Sequence, residues 1–432
     1  MKTIEENSIS LIRTFQGVIE SLNTREKYEA SPPQGPPETW EVISTDDQFD
    51  ELNLTTFGED RMHDKPYVNL ELLNKEEVNP KKIEFPTAET ISDLNICAID
   101  GSNERVEKGA FFFILARAAI VNFRYSKEGL RPYFYQKLRD ASAVTLADYN
   151  IFNYDRLNIS TEYNLEENEN EIRRYLNNNL TEPLFINYQR NKNNKSPSSH
   201  AVGWGVKIMQ TLELMSLKDV KTDQKCVCIK DGPIFSPSVS AKDTIKLLKI
   251  IKTWEDQILV GCSKRIKDSR LLVQLLLKKG KLRKHWFENQ NITDNTIRGI
   301  SSDSIILPRI LKPGERTPLI IGTPIARQKI VDPNSEQRGD SDFTPISCYY
   351  LSRTKPHTYL RLEIPYLFYN KNPHKVEEAI SIVAWQHELG RIAPLVQILA
   401  DKRCKLTSEK IILERQTEAA LREKQLEFLQ DY

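Results

Sequence analysis

Glycine is scarce in this chain, and two motifs that depend on it are missing. Only 16 glycines occur among 432 residues. The phosphate-binding loop ending in Gly-Lys-Ser/Thr is absent, and so is the Gly-x-Gly-x-x-Gly turn of dinucleotide-binding proteins. We therefore do not expect this chain to hydrolyse nucleotides itself, although a partner protein can supply that activity.

Cysteine patterns that would indicate a disulfide framework or a zinc site are also missing. The six cysteines include no Cys-x-x-Cys pair, and no Cys/His cluster has the spacing of zinc ligands. Four of the six lie in apolar, strand-like runs. The pattern predicts buried free thiols in a reducing compartment. The cysteines are at positions 97, 226, 228, 262, 348 and 404.

Long apolar runs and an excess of charge of one sign are absent as well. No apolar stretch approaches the ~20 residues that cross a bilayer, and the first six residues lack the apolar core of a signal peptide. These features predict a cytoplasmic protein with no membrane partner. Lys and Arg number 61 against 60 Asp and Glu, so any surface that binds nucleic acid must be local.

Residues 1–90 are predicted to form an N-terminal helix and an extended arm. Residues 3–28 have the periodicity of an amphipathic helix with a broad apolar face. The proline-rich segment 31–37 cannot be helical and is predicted to be a linker. The polar residues 38–90 are expected to wrap the core. The apolar face of the helix packs either on its own core or on a partner.

Residues 91–405 alternate between strand-like and helix-like runs, which predicts a mixed α/β sheet with helices on its faces. Strands at 95–100 and 110–123 are predicted to form an antiparallel hairpin. An Asn-rich, charged insertion at 150–200 is expected to hold a helical piece near 166–179 and a mobile loop. A helical tail is predicted at 406–432. The remaining predicted elements are strands at 226–231, 258–262, 347–353 and 359–364, and helices at 201–217, 240–256, 268–277, 375–389 and 393–428.

Two acidic residues follow apolar strand-like runs and precede a glycine. Asp100 comes after the run 95–99, and Asp231 comes after the run 226–230. Each Asp-Gly pair alone is equally consistent with a hairpin turn. Two such units, joined by a helix that carries Glu213, favour a site instead. Carboxylates from two neighbouring strands and a helix are the ligands of a two-metal centre for phosphodiester cleavage.

Two further charged residues are candidates for the same site. Lys264 directly follows the strand 258–262, where it either neutralises a phosphate or belongs to the ordinary basic run 264–267. Asp401 on the predicted last helix is either a fourth metal ligand or part of a solvated face beside Lys402 and Arg403.

Three other features have a structural and a functional interpretation. The basic stretch 278–286 mixes lysines with Trp286, as single-strand binders do, but a solvated helix end is favoured. Asp303 lies in a segment that is also typical of a helix N-cap. Arg361 and Glu363 point to the same side of one strand. They form either a structural ion pair, which is favoured, or part of the site.

An ordered set of segments resembles the NurA nucleases over roughly residues 95–405, with the insertion 150–200 matched only weakly. No single segment is specific to this family, but the set of segments, in the order in which the family has them, is fairly specific. The segments are Ile99-Asp100-Gly101-Ser102, the helix with Glu213, 229–233 (Ile-Lys-Asp-Gly-Pro), 261–264 (Gly-Cys-Ser-Lys), 303–318, and 359–365 (Tyr-Leu-Arg-Leu-Glu-Ile-Pro).

The resemblance implies an RNase H-like core and a manganese-dependent nuclease that processes DNA ends. It also implies a homodimer that works with the hexameric DNA translocase HerA. By position, Asp100, Glu213 and Asp231 would be metal ligands and Lys264 would lie at the scissile phosphate. Asp401 falls where the family has an acidic residue or His. Many relatives have Asp-Gly-Ser at the second strand, where this chain has Asp-Gly-Pro.

These observations favour a deoxyribonuclease that uses Mn²⁺ or Mg²⁺, with two ions per site, because only hard carboxylate ligands occur near the candidate positions. We expect both exonuclease and endonuclease activity. The activity would serve either DNA repair or defence against phage. The alternative is a non-catalytic subunit that binds DNA or acts as a scaffold for a translocase.

Overall fold

In a computed structural model of the protein, the described residues are 67–92, 94–108, 111–126, 129–146, 160–164, 197–220, 225–235, 239, 241–264, 266, 269–288, 292–324, 341–408, 410–415 and 418–419. Several predicted segments lie outside them. They are the helix at 3–28, the linker at 31–37, the first part of the arm (38–66), the helical piece at 166–179, the mobile loop that follows it and the end of the tail (420–432).

The described residues contribute twelve strands to one sheet. β3, β4 and β5 form an antiparallel meander, and β6 pairs antiparallel with β5. β7 runs parallel to β3, and β8 runs parallel to β7. The strands are β1 Tyr67–Leu72, β2 Lys81–Lys82, β3 Asn95–Lys108, β4 Phe111–Ser126, β5 Gly129–Leu146, β6 Ser160–Asn164, β7 Cys226–Asp231, β8 Gln257–Ser263, β9 Glu315–Arg316, β10 Ile320–Pro324, β11 Pro345–Leu351 and β12 Tyr359–Pro365.

The sheet continues beyond β8 through antiparallel strands. Its order is β1-β10-β11-β12-β8-β7-β3-β4-β5-β6, with β9 pairing with β11 and β2. The predicted hairpin is confirmed, because β3 and β4 pair in continuous register from Asn95↔Arg124 to Lys108↔Phe111. β1, which lies within the predicted arm, forms the edge of the sheet opposite β6 and pairs with β10.

Helices follow the predicted order with different lengths. The predicted helix at 240–256 ends at Leu248 and continues as a 3-10 turn, Lys249–Thr253. The predicted helix at 393–428 is interrupted because Lys405 adopts an extended backbone. The helices are α1 Ala88–Ile91, α2 Pro197–Met215, α3 Ala241–Leu248, α4 Leu271–Lys278, α5 Gly280–Trp286, α6 Asp294–Arg298, α7 Asp303–Ile310, α8 Tyr366–Lys371, α9 Pro373–Gly390 and α10 Leu395–Cys404.

Two apolar cores pack on opposite faces of the sheet at β11. Tyr350 of β11 belongs to the core that also contains β3, β7, β8 and α9. Its neighbours Tyr349 and Leu351 belong to the core built with α4 and α7. Since successive side chains of a strand alternate between faces, β11 is buried on both sides. Burial on both faces explains why the runs at β7 and β8 are almost continuously apolar.

All six cysteines are free and buried, as predicted. Across the described ranges, no helix has the length and apolar character that crossing a membrane requires.

Candidate active site

Asp100 and Asp231 lie side by side where the parallel pairing of two central strands ends. The β3–β7 pairing runs from Asn95↔Cys226 to Ile99↔Lys230, so each aspartate follows the last paired residue of its strand. Asp100 nevertheless lies within β3, which continues to Lys108 because β4 pairs with its whole length. Neither the predicted strand end nor the alternative turn therefore occurs at Asp100.

The loop after Asp231 is shaped by two glycines. Gly232 has a φ of 72°, a conformation that glycine adopts without steric cost. Its amide donates to the carbonyl of Cys262 on β8 over 3.1 Å. A Cβ on Gly261 would approach the carbonyl oxygen of Gly232 and the amide of Ile234 to 2.9 Å each. The absence of a side chain at Gly261 thus lets this loop pack directly on β8.

Glu213 reaches the same region from α2, and Gly101 makes room for it. The Glu213 side chain is buried, with 4% of its surface exposed. A Cβ on Gly101 would lie 2.6 Å from Oε1 of Glu213 and 2.6 Å from Cγ of Met209. The glycine after Asp100 therefore serves the approach of a helix rather than a turn of the chain.

Two lysines lie among these three carboxylates. The ammonium of Lys264 is 2.9 Å from Oδ1 of Asp231 and 3.7 Å from Oδ2 of Asp100. Lys230 is buried, and its ammonium contacts Oε2 of Glu213 at 3.0 Å and donates to the carbonyl of Asp231 over 2.8 Å. The sequence prediction included Lys264 but missed Lys230. The available signal was a lysine inside the otherwise apolar run of β7.

Burial and mutual repulsion shift the protonation of the acids. Burial raises the pKa of Asp100 well above its usual value, Asp231 raises it further, and the charge of Lys264 opposes the shift. Burial also raises the pKa of Glu213, against the opposing charge of Lys230. Burial alone would lower the pKa of Lys264, but the charges of Asp231 and Asp100 outweigh it and raise that pKa. Cations are thus favoured at this position.

The residue types fit a hard divalent cation. Oδ2 of Asp100 is buried and accepts no hydrogen bond from the described residues, which leaves a carboxylate oxygen that a cation can satisfy. Within the described ranges, no three His, Cys, Asp or Glu side chains converge as they would around a bound ion. Glu213 and Asp231 are turned towards lysines instead.

The last helix brings an amide, not an acid, into contact with Asp231. Gln397 on α10 is buried, and its Nε2 donates to Oδ1 of Asp231 and to the carbonyl of Cys262, the latter over 3.3 Å. Asp401 lies one turn further along, with 48% of its side chain exposed and Lys405 at 3.6 Å. Its charge still contributes to the raised pKa of Asp100. The sequence prediction missed Gln397, whose only signal was a polar residue between apolar positions of a helix.

A buried polar network supports the loop after Asp231 from the other side. Glu363 on β12 accepts the amide of Ile234 at Oε2 over 3.1 Å and pairs with Arg361 at Oε1 over 2.6 Å. Arg361 also donates to Ser269 over 3.3 Å, and Ser269 donates to the carboxylate of Asp303 over 2.8 Å. Asp303 is the first residue of α7, while Ser302 is the N-cap. The network connects α7 to the loop after Asp231, which we call the site loop.

Two residues at the end of the basic stretch of α4 and α5 contact the segment that follows β1. Trp286 donates from Nε1 to the carbonyl of Val78 over 2.6 Å, and Nε2 of His285 lies 2.7 Å from Oδ1 of Asn79. These contacts hold the turn that follows β1. They favour the structural interpretation of this stretch, because the Trp286 ring also packs against the apolar core beside α4.

The fold and the site together define an α/β protein with a carboxylate-rich centre where the pairing of its central parallel strands ends. The NurA domain profile matches residues 94–406. The chain therefore belongs to the NurA family. A search of curated proteins finds no match.

Two NurA structures are among the solved structures that match this chain. One is the crystal structure of the NurA nuclease from Sulfolobus solfataricus, with 11% identity, coverage of 89% of this chain and 96% of that chain, and a TM-score of 0.38. Another is a crystal structure of NurA with manganese, with 10% identity, coverage of 81% and 64%, and a TM-score of 0.16.

Proposed function

We propose that this chain is a metal-dependent deoxyribonuclease that processes DNA ends. It hydrolyses phosphodiester bonds both as an exonuclease and as an endonuclease. One observation carries the proposal: Asp100 and Asp231 share a single cation, the Lys264 ammonium, at 3.7 and 2.9 Å. Two carboxylates that hold one cation between them, where the pairing of two adjacent strands ends, are suited to bind a divalent ion there.

The cofactor we propose is Mn²⁺ or Mg²⁺, two ions per site, held by Asp100, Glu213 and Asp231 with Asp401 completing the set. When bound, these ions supply an activated water and stabilise the charge on the leaving oxygen. Lys230 favours the ionised form of Glu213 against the effect of burial, because its ammonium is 3.0 Å away. Lys264 neutralises the phosphate at the reacting centre, where a positive charge stabilises the transition state most.

The strand arrangement supports an RNase H-like core. An antiparallel meander, β3-β4-β5, is followed along the chain by β7 and β8, both parallel to β3 and ordered outward from it. β12, β11, β10 and β1 extend this core on the side of β8. In this proposal the nuclease domain spans 91–405, residues 1–90 form an arm that adds β1 and β2 to the sheet, and residues 406–432 form a tail.

The proposed partners are DNA, a second copy of the chain and a HerA-type hexameric translocase, in DNA repair or defence against phage. Family membership supports this assembly. The apolar face predicted for residues 3–28 is the proposed contact with either protein partner. Light scattering and a translocase pull-down on the full chain and on a chain lacking residues 1–30 test this. A monomeric full chain refutes the dimer, and unchanged mass and binding after truncation remove the role of the helix.

Cleavage of end-labelled DNA tests the activity and its metal. We expect cleavage with Mn²⁺ or Mg²⁺ and none in chelator. Asp100→Ala and Asp231→Ala should each lower the rate roughly thousand-fold, or by about 4 kcal/mol of transition-state stabilisation. Asp256→Ala is the matched control, since this aspartate is 62% exposed at the opposite end of the parallel strands and pairs with Lys375. Near-normal activity in either folded site variant contradicts the assignment, and activity with Zn²⁺ alone contradicts the metal.

The alternative function is a non-catalytic subunit that binds DNA for a translocase. The observation in its favour is that Glu213 and Asp231 are already neutralised by lysines. The same assay distinguishes the two. If the protein binds DNA but does not cleave it with any metal tested, whether or not the translocase is present, the result supports the scaffold function.

A further inference from the structure

We propose that Gln397 is a positioning residue that holds the Asp231 carboxylate in its metal-binding orientation. This inference rests on the proposed function and adds to it a residue on the last helix, α10. Its basis is the contact of one buried amide with both the side chain of Asp231 and the neighbouring strand β8.

The orientation of the Gln397 amide is fixed by its partners. Its nitrogen meets two acceptors, Oδ1 of Asp231 and the carbonyl oxygen of Cys262. Exchanging nitrogen and oxygen would place Oε1 against both acceptors, so the amide has only one favourable orientation. The side chain is completely buried, and its helix is anchored by Val396 and Ala400 in the core. It therefore presents a rigid donor.

The carbonyl of Cys262 connects the backbone and the side chain of the site loop. It accepts the amide of Gly232 over 3.1 Å and Nε2 of Gln397 over 3.3 Å. One acceptor on β8 thus fixes the main chain just after Asp231 and the group that holds the Asp231 side chain. Because 31% of that side chain is exposed, packing alone does not select its rotamer, and the amide supplies the missing constraint.

A neutral donor is suited to this task. Gln397 and Lys264 both contact Oδ1 of Asp231, so a cation that binds Oδ2 does not have to displace the amide. A lysine at position 397 would compete with the cation by charge, whereas an amide orients the carboxylate without opposing the ion.

The test replaces the amide by an apolar side chain of similar size. Gln397→Met should weaken Mn²⁺ binding without DNA, measured from the paramagnetic resonance signal of free Mn²⁺, by roughly 10–100-fold. The cleavage rate constant should fall over the same range, while KM for DNA changes little, because Gln397 acts through Asp231 and not on the substrate.

Gln386→Met is the matched control. Gln386 is equally buried, lies on α9 and donates to the hydroxyl of Tyr125 over 3.0 Å. Its replacement should change thermal stability as much as Gln397→Met does but leave Mn²⁺ affinity at the wild-type value. Should Gln397→Met fail to fold, Gln397→Asn carries the same test, since its amide ends one methylene short of Asp231.

The outcomes separate this inference from the proposed function. If the wild-type protein binds Mn²⁺ and cleaves DNA, but the Gln397 variants match Gln386→Met in both, Gln397 is structural only and the inference is overturned. If the wild-type protein neither binds Mn²⁺ nor cleaves DNA, the proposed function fails and takes this inference with it. Loss of Mn²⁺ affinity in the Gln397 variants alone supports the positioning role.

Discussion

A methyl group added at Gly101 should act as a probe of the position of Glu213. In Gly101→Ala the new Cβ would lie 2.6 Å from Oε1 of Glu213, whereas ordinary contact begins at 3.4 Å. Glu213 must therefore retreat by ~0.8 Å, a displacement of the size that costs catalysis heavily. The carboxylate cannot turn away freely, because it is buried and held by Lys230 at 3.0 Å.

The magnitude follows from that displacement. A misplacement of about 1 Å at a catalytic group costs roughly 100-fold in rate, or about 2.7 kcal/mol. Overpacking should lower the free energy of unfolding by about 1–3 kcal/mol in addition. The rate is measured in single-turnover cleavage at saturating Mn²⁺, and the stability in denaturant unfolding.

Gly322→Ala separates the two effects. Its Cβ would meet Cδ1 of Leu70 at the same 2.6 Å, but at the edge pair β1–β10, remote from the carboxylates. We expect a similar loss of stability and a normal cleavage rate. If both variants cleave DNA equally fast, the position of Glu213 does not matter to the reaction, and its assignment as a metal ligand is refuted.

Three further predictions address other parts of the molecule. Lys264→Ala should slow cleavage far more than it weakens DNA binding in chelator, because the ammonium lies at the carboxylates; equal losses would make it a simple phosphate contact. Glu363→Leu should lower the free energy of unfolding by about 3–5 kcal/mol, since it removes the partner of the buried Arg361. A loss below about 1 kcal/mol in denaturant unfolding contradicts this. Burial lowers the pKa of His387 from 6.5 to about 4, so unfolding takes up a proton and stability falls as the pH drops from 6.5 to 4. The loss is about 3 kcal/mol in total, and His387→Phe should remove that part of the acid dependence of Tm; an unchanged profile refutes it.

The sequence predicted the central part of the fold well because two physical signals coincide there. β7 has the predicted bounds 226–231, and β8 extends the prediction by one residue at each end. Both strands are buried on two faces, so their apolar runs are nearly continuous and easily recognised. The alternation with helices then indicates parallel pairing.

Strands outside this centre gave weaker signals. β5 carries Pro132 and several charged residues, and β10 carries Gly322 and Pro324, features that count against a strand in any sequence interpretation. β3 is much longer than predicted because its second half is polar and is recognisable only through its pairing with β4. Pairing of this kind is a property of the folded chain.

The carboxylates of the candidate site were identifiable, but their partners were not. Asp100, Glu213, Asp231 and Lys264 do come together. Gln397, in contrast, becomes a site residue only through the packing of α10, because nothing in its local sequence distinguishes it from other polar helical residues. The residue types of the candidate site could thus be identified from the sequence, whereas its geometry depends on tertiary contacts.

The contact between Gln397 and Asp231 also has a consequence for the biosynthesis of the protein. A ribosome produces β3, α2, β7 and β8 before α10, since chains emerge from their N-terminus. The carboxylates are therefore present on the growing chain before the amide that holds one of them. With Gln397 as proposed, a nascent chain carries the acids without their final orientation until α10 docks against β3 and β4. Synthesis of the polypeptide and maturation of its reactive centre are thereby separated in time.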